Sequence, residues 1–428
     1  MLKRAFLRLA EDRRGMISPI FALAVIPVLG LIGAAVDYSR ANSVRTAMQA
    51  ALDSTSLAMA SKAASLSGSQ LQAQADAYFK ALFTRTDAIG TTVTATYSSE
   101  GGSQVTVSGM TTVKNLFMGI MGIGTTQVAA SSTSKWGMNR LRVALALDNT
   151  GSMASNNKMT ALKTAAKSLI DQLKTASKSD GDVYISIIPF AKDVNVGAAN
   201  YTATWLKWTD WDSKNGSWSG GGWGGWGGWG GGGGTWTPAN HNTWTGCVMD
   251  RDQDYDVKSS APVTGVAATL FPTEQYSDCP VALMPLSYNW TALKNKIDSM
   301  TPDGNTNTTI GLAWAWHSLT QGAPLNAPAE DAKYTYTKVI IFLTDGQNTQ
   351  NRWTSSTSAI DARMAAACTN AKNAGITIYT ILVLEGNGTL LKNCASGADK
   401  YFKLTSANQL ISVFSEIGTK LSQLRVAK

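Results

Sequence analysis

The longest unbroken apolar stretch lies near the start of the chain. From Gly15 to Val36 no residue is charged. The run ISPIFALAVIPVLGLIGAAV is long enough to cross a bilayer core of about 30 Å at about 1.5 Å per helical residue, so 15–36 is predicted to be a transmembrane anchor. Polarity returns at Asp37. The segment DYSRANSVRTAMQAALDSTSLAMASKAA has no Gly or Pro and places apolar residues every three or four positions, which predicts that the same helix continues into solvent. TTVTATY and SQVTVSGMTTV then alternate with period two on either side of the turn SSEGG, the pattern of a small antiparallel sheet. Residues 37–135 therefore read as a helix followed by a small β region.

From Leu141 the pattern changes. Short apolar runs (LRVALALD, VYISIIPF, KVIIFLTDG, ITIYTILVL, KYFKLTS) alternate with helical segments (KMTALKTAAKSLIDQLKTA, TIGLAWAWHSLT, SAIDARMAAACTNAKNA, ANQLISVFSEIGTKLSQL). Such alternation predicts an α/β fold over 140–428, with a mostly parallel, doubly wound sheet and helices on both faces. The alternation breaks across 191–300, which reads as a large insertion. Nine tryptophans lie between Trp205 and Trp244, and 216–237 reads GSWSGGGWGGWGGWGGGGGTWT. Glycine this dense predicts a mobile surface loop. Its tryptophans suit a sticky surface, self-association, or an expansion without a defined role. Single-stranded nucleic acid would need a cationic groove beside the aromatics, which Lys207 and Lys214 alone do not make.

Composition adds orientation and compartment. The chain has 428 residues, 44% of them hydrophobic, enough for at least one large core. Its net charge of +8 includes +3 from the basic segment 1–14, and the remainder is too diffuse to point to nucleic acid. Basic residues before the span and Asp37 after it place the N-terminus in the cytoplasm and the bulk of the chain outside. A cleaved signal peptide would have a shorter apolar core, about 7–15 residues, and an A-x-A site. Cys247, Cys279, Cys368 and Cys394 fit an oxidising compartment. Proximity along the chain suggests pairing 247 with 279 and 368 with 394, one of three possible connectivities.

The candidate chemistry lies where strands end. LALD stops at Asp148 and FLTD at Asp345, while DGNTNTTIG delivers Thr306, Thr308 and Thr309 to a helix start. In an open parallel sheet, ligands bind beyond the carboxyl ends of the strands. Hydroxyls and carboxylates without sulfur or imidazole are ligands for a hard cation, Mg²⁺ or Mn²⁺. The motif D-x-T-x-S at 148–152, Thr306 five residues before Gly311, and T-D-G at 344–346 resemble the metal-ion-dependent adhesion site of von Willebrand factor A domains. The resemblance implies a Rossmann-type fold and a divalent cation on Asp148, Thr150, Ser152, Thr306 and Asp345. It further implies that the cation's coordination is completed by an Asp or Glu of a protein partner. Thr150 stands where serine is usual, and the hydroxyl survives the change.

Three further stretches are similar to TadG-like proteins of the tight-adherence (Flp) pilus machinery: RRGMISPIFALAVIPVLGLIGAAVDYSRA, NTWTGCVMDRDQDYD at 242–256, and the region from Cys368 through ITIYTI to Cys394. This implies a single-pass protein of the bacterial inner membrane that works with other pilus-assembly components in assembly or adhesion. TadE-like pseudopilins typically carry a glutamate five residues after their processed glycine. Here Ile20 occupies that position after Gly15, which speaks against pseudopilin-type cleavage.

Other chemistry finds little support. Asp250 and Asp252 in DRDQDYD are candidates for a second ion, but the stretch lacks the glycine and glutamate of an EF-hand loop and otherwise reads as a solvated turn. The histidines, His241 and His317, form no metallohydrolase motif. A metal-dependent hydrolase would need a general base beside the metal, and none is evident. The sequence therefore points to a non-enzymatic adhesion or assembly protein, with a structural pilin-like subunit holding a purely stabilising metal as the alternative.

Overall fold

The computed structural model describes residues 17–99, 102–136, 139–219 and 234–426. The basic segment 1–14 and the centre of the glycine–tryptophan tract, 220–233, lie outside the described residues. The chain divides into two compact units, Met1–Met138 and Asn139–Lys428.

The first unit is built on one long helix, α1 (Ile17–Ala60), followed by α2 (Gly68–Leu82). Leu23–Ala60 is long and apolar enough to cross a membrane. Below Asp37 the side chains of Phe21, Leu23, Leu29, Leu31 and Ile32 are exposed. Above it, Ala41, Val44, Met48, Ala51, Leu52, Thr55 and Met59 form a buried stripe at helical spacing. That stripe packs with Leu71, Ala75 and Phe79 of α2 and with Val105, Val107, Val113 and Val128 of a three-stranded antiparallel sheet. The sheet comprises β1 (Ala88–Ser98), β2 (Ser103–Lys114) and β3 (Thr125–Trp136). Neither α2 nor β3 is evident from hydrophobic pattern. In β3, Ser, Thr and Gln occupy most positions, and only Val128 is fully covered.

The second unit is an α/β sandwich. Its parallel strands are β4 (Asn139–Asp148), β5 (Val183–Phe190), β6 (Thr335–Thr344), β7 (Thr377–Val383) and β8 (Tyr401–Leu404). They lie in the order β8-β7-β6-β4-β5. Along β4, Leu141, Val143, Leu145 and Leu147 face one way. They meet Leu162 and Leu169 of α3 (Lys158–Ala176), Leu293 of the helix Trp290–Asp298, and Phe414 of the C-terminal helix Gln409–Val426. Ala144 and Ala146 face the other way, toward Ile310 and Trp314 of α4 (Thr308–Ser318) and Met364 of α5 (Thr357–Asn373). The period of two along β4 thus divides one strand between two cores.

The insertion extends the sheet rather than leaving it. Val194–Asn195, Cys247–Val248 and Phe271–Glu274 pair antiparallel in succession beyond β5, and Leu206–Lys207 adds to the last of them. Strands two residues long carry no readable alternation. Trp211 and Trp244 are buried in the second core, with Trp205 and Trp208 packed against it. Gly216–Ser219 and Thr235–Pro238 form a hairpin stem in which Trp218 and Trp236 stack edge to face, ring centroids 5.5 Å apart. Cys247–Cys279 and Cys368–Cys394 are both disulfide-bonded.

The DRDQDYD stretch departs from its expected solvated state: Asp250, Arg251 and Asp256 are all buried. Arg251 donates to the carbonyls of Tyr255, Lys258, Ser260 and Thr269. Arg363 grips Asp256 through two hydrogen bonds. Asp256 is compensated by a guanidinium 107 residues away and Asp250 by the Asn307 amide and the Arg352 backbone N–H, so the local acidic pattern could not reveal their burial.

Candidate metal centre

β4 and β6 are hydrogen-bonded neighbours in parallel register, Leu147 opposite Leu343, so Asp148 and Asp345 emerge side by side at their carboxyl ends. From β4 the chain crosses one face through α3 to β5, whereas α4, between β5 and β6, packs on the other face. The two acids therefore sit at a topological switch point. Each comes from a strand whose apolar residues are fixed by core packing, which positions the acids rigidly.

The first loop folds back on its own acid. Asp148 Oδ1 accepts from the Thr150 backbone N–H at 2.8 Å and from Thr150 Oγ1 at 2.5 Å; Asp148 Oδ2 accepts from Thr344 Oγ1 at 2.6 Å. Thr150 Oγ1 lies 3.1 Å from Ser152 Oγ, which donates to Asp345 Oδ1 at 2.5 Å. The middle loop is tied to the first by Gly151 N–H to Gly304 O (3.0 Å), Asp303 N–H to Asn149 O (2.8 Å) and Asn149 Nδ2 to Thr301 O (2.5 Å). Thr306 is fixed through its backbone to Thr349. A Cβ placed on Gly346 would lie 3.4 Å from Ser152 Oγ and 4.0 Å from Thr306 Oγ1, so hydroxyls of the first and middle loops converge on the T-D-G turn. Gly311 lets α4 approach the sheet: a Cβ there would sit 2.5 Å from the Phe190 ring.

All five sequence-predicted residues, Asp148, Thr150, Ser152, Thr306 and Asp345, thus gather at one end of the sheet. Thr308 and Thr309, from the same helix start, are buried elsewhere: Thr309 donates to Ile360 O, and Thr308 Oγ1 has no partner. Asp148, Thr150, Thr306 and Asp345 are buried, while Ser152 is exposed and gives the cluster its opening to solvent. Burial, and secondarily the charge of Asp345, pushes Asp148 up to about 6 against the hydrogen bonds from Thr150 and Thr344. Two buried carboxylates amid hydroxyl oxygens form a donor set that suits a hard divalent cation.

Two participants lie outside the five candidate ligands. Thr344 bonds Asp148 directly, and Lys158, at the first turn of α3, places Nζ 2.5 Å from Asp345 Oδ2 and 3.3 Å from Ser152 O. Lys158 is 5% exposed. An amphipathic helix with several lysines gives no sign of which one points inward.

The remaining candidates have other partners. Asp252 is paired with Arg352 at 2.6 Å and Lys207 at 3.4 Å, and Asp250 accepts from Asn307 Nδ2 at 2.8 Å. Among the described residues no group of three or more His, Cys, Asp or Glu is arranged to hold a metal. Asp252 thus has the Arg352 guanidinium as its cation, while the Asp250 carboxylate accepts from Asn307 Nδ2 and from the Arg352 backbone N–H. His241 stacks on Trp208 and bonds Asp212, while His317 is buried between Phe271 and Trp314.

Two family models match parts of the chain. Residues 15–65 match the family model for putative Flp pilus-assembly TadE/G-like proteins, and residues 267–416 match the von Willebrand factor type A domain. The α/β unit has the von Willebrand factor A fold, although the segment carrying Asp148, Thr150 and Ser152 precedes the matched region. No curated protein matches the chain. Among solved structures, the chain is similar to proximal thread matrix protein 1 from the mussel byssus, at 16% identity and TM-score 0.35, covering 67% of this chain and 47% of that one. It is also similar to the pilus adhesin SpaC from Lactobacillus rhamnosus GG, at 12% identity and TM-score 0.38, covering 78% and 34% respectively. A third is the von Willebrand factor domain of the type V pili tip protein Mfa5 from Porphyromonas gingivalis, at 12% identity and TM-score 0.38, covering 66% and 95%. The chain spans less than half the length of the mussel protein and about a third of SpaC.

Proposed function

We propose that this chain, with its TadE/G-like N-terminal region and von Willebrand factor A domain, is a membrane-anchored extracytoplasmic protein of a tight-adherence pilus system. In this reading it engages an acidic protein partner through a divalent cation, Mg²⁺ or Mn²⁺. Asp148, Thr150, Ser152, Thr306 and Asp345 would hold the ion, which when bound supplies a Lewis-acidic point for a partner Asp or Glu. The observation that carries the reading is the convergence of hydroxyl and carboxylate oxygens from three loops on two buried acids, open to solvent at Ser152.

The chain's own residues prepare that contact. Thr150 and Thr344 orient both oxygens of Asp148, and Ser152 and Lys158 orient those of Asp345. Hydrogen bonds between the first and middle loops hold them together without an ion, so the ion is not needed to assemble the site. The topology that fits is an anchor at 15–36 with the N-terminus in the cytoplasm.

The test is titration of Mg²⁺ and Mn²⁺ into the detergent-solubilised chain and its Asp148→Asn variant, beside surface attachment of cells carrying each. The expected result is loss of metal binding and of attachment together. Attachment that survives demonstrable loss of metal would overturn the adhesion mechanism and leave the stabilising role.

A further inference from the structure

The loop between β2 and β3 reads NLFMGIMGIG over 115–124 and carries no charge. Its large side chains face outward: Ile120 is 85% exposed, Met121 67%, Leu116 59%, Ile123 50% and Phe117 47%. So dense an apolar surface on one short loop marks an interaction site rather than ordinary surface scatter. Where the loop sits names its partner. Phe117 packs against Gly33 of α1 so closely that a Cβ on that glycine would collide with it, and Met121 Sδ would lie 3.5 Å from a Cβ on Gly30. These glycines are three and six residues inside Val36, the last uncharged residue of the span, or about 4.5 and 9 Å along the helix axis.

The loop is built for an apolar medium. Asp37 accepts the backbone N–H groups of Leu116, Phe117 and Met118, each at 2.8 Å. Ile120, Gly122 and Ile123 donate to carbonyls within the loop, Asn115 N–H bonds Gly124 O, and Asn115 Nδ2 bonds Ile123 O. Backbone groups satisfied internally are the condition for entering hydrocarbon. The charges lie behind the tip: Arg40 is 4.0 Å from Asp37 and donates to Lys114 O, at the level expected of lipid headgroups.

We propose that loop 116–123 inserts into the extracytoplasmic leaflet beside the anchor helix, forming a second membrane contact that fixes how the first unit stands on the bilayer. The lipid acyl region covers Leu116, Ile120, Met121 and Ile123, and its surface is continuous with that covering Leu29, Leu31 and Ile32. Asp37 is the positioning residue that holds the loop on α1. The inference rests on the membrane-anchor reading above.

The experiment separates the two. All four cysteines are in disulfides, so one introduced cysteine at Ile120, Leu29 or Ser108 takes an environment-sensitive nitrobenzoxadiazole label in the full chain. Each labelled protein is reconstituted into phosphatidylcholine and phosphatidylglycerol vesicles containing lipid with a nitroxide near the top of the acyl chain. Labels at 29 and 120 are expected to be quenched several-fold more than the label on β2 at 108. The Asp37→Asn variant should lower quenching at 120 and leave 29 unchanged. Quenching at 29 without quenching at 120 overturns the loop insertion while the anchor stands. A blue-shifted but unquenched label at 120 shows that protein, a second copy included, covers the loop instead, and also overturns it. Failure of quenching at 29 overturns the anchor reading and the loop insertion with it.

Discussion

Lys158 Nζ and Asp345 Oδ2 are 2.5 Å apart, and both side chains are buried, at 6% and 0% exposure. The T-D-G acid of the candidate metal centre thus carries an internal cation. A second positive charge in this poorly screened space opposes a divalent ion. Removing it by Lys158→Met is expected to raise Mg²⁺ affinity about tenfold, equivalent to about 1.4 kcal/mol. The same change leaves Asp345 without its ammonium, so unfolding in chelator should become easier by on the order of 3 kcal/mol. Calorimetric titration and denaturant unfolding followed by tryptophan fluorescence read the two effects. Unchanged or weaker metal affinity would show that the ammonium supports the ion rather than competing with it.

Metal binding should itself stabilise the fold. At a free Mg²⁺ concentration about 100 times the dissociation constant, the wild type gains about 2.7 kcal/mol. Asp148→Asn keeps the shape of the side chain and removes its charge, so its melting temperature should not respond to Mg²⁺. A metal-dependent shift of equal size in both proteins would place the ion elsewhere.

The strand-ending acids were legible because parallel strands buried on both faces read as unbroken apolar runs, and a carboxylate closing such a run is conspicuous. Thr306 was legible from its place just before a helix start. Lys158 was not, since its inward direction depends on the turn between Ser152 and α3, where Asn156 and Asn157 adopt positive φ. The short strands of the insertion and the polar β3 were hidden for a related reason: their pairing is set by neighbours distant in sequence, not by their own alternation. Arg352 and Arg363 likewise reach acids more than 90 residues away in sequence.

Gly311 allows the helix carrying the middle loop to sit against β5. In Gly311→Ala the new methyl would meet the Phe190 ring. Either the ring or α4 must shift, at a cost of about 1–3 kcal/mol. Because Thr306 lies just before α4, metal affinity should fall along with stability, while Ala313→Gly, on the same helix, should lower stability through helix propensity and one lost buried methyl without forcing α4 off the sheet. Thermal melting and metal titration on both variants distinguish a local steric effect from general weakening of the helix. Equal metal affinity in Gly311→Ala and the wild type would uncouple α4 position from the site.

His317 provides a pH dependence independent of metal. Its ring is buried, both nitrogens lack hydrogen-bond partners, and burial, then the nearby charge of Arg251, holds its pKa well below the usual 6.5. The folded state therefore resists a proton that the unfolded chain accepts. The contribution to stability is full above pH 6.5 and is lost as pH falls below it, at up to about 1.4 kcal/mol per pH unit. His317→Leu removes the titrating group and two unsatisfied polar atoms, so the variant should be more stable by about 1 kcal/mol at pH 7.5. Its advantage should widen as the pH is lowered from 6.5 to 5. Melting temperatures of the two proteins in chelator across that range test this directly, and parallel curves would mean that the ring finds a partner or is never forced to remain neutral.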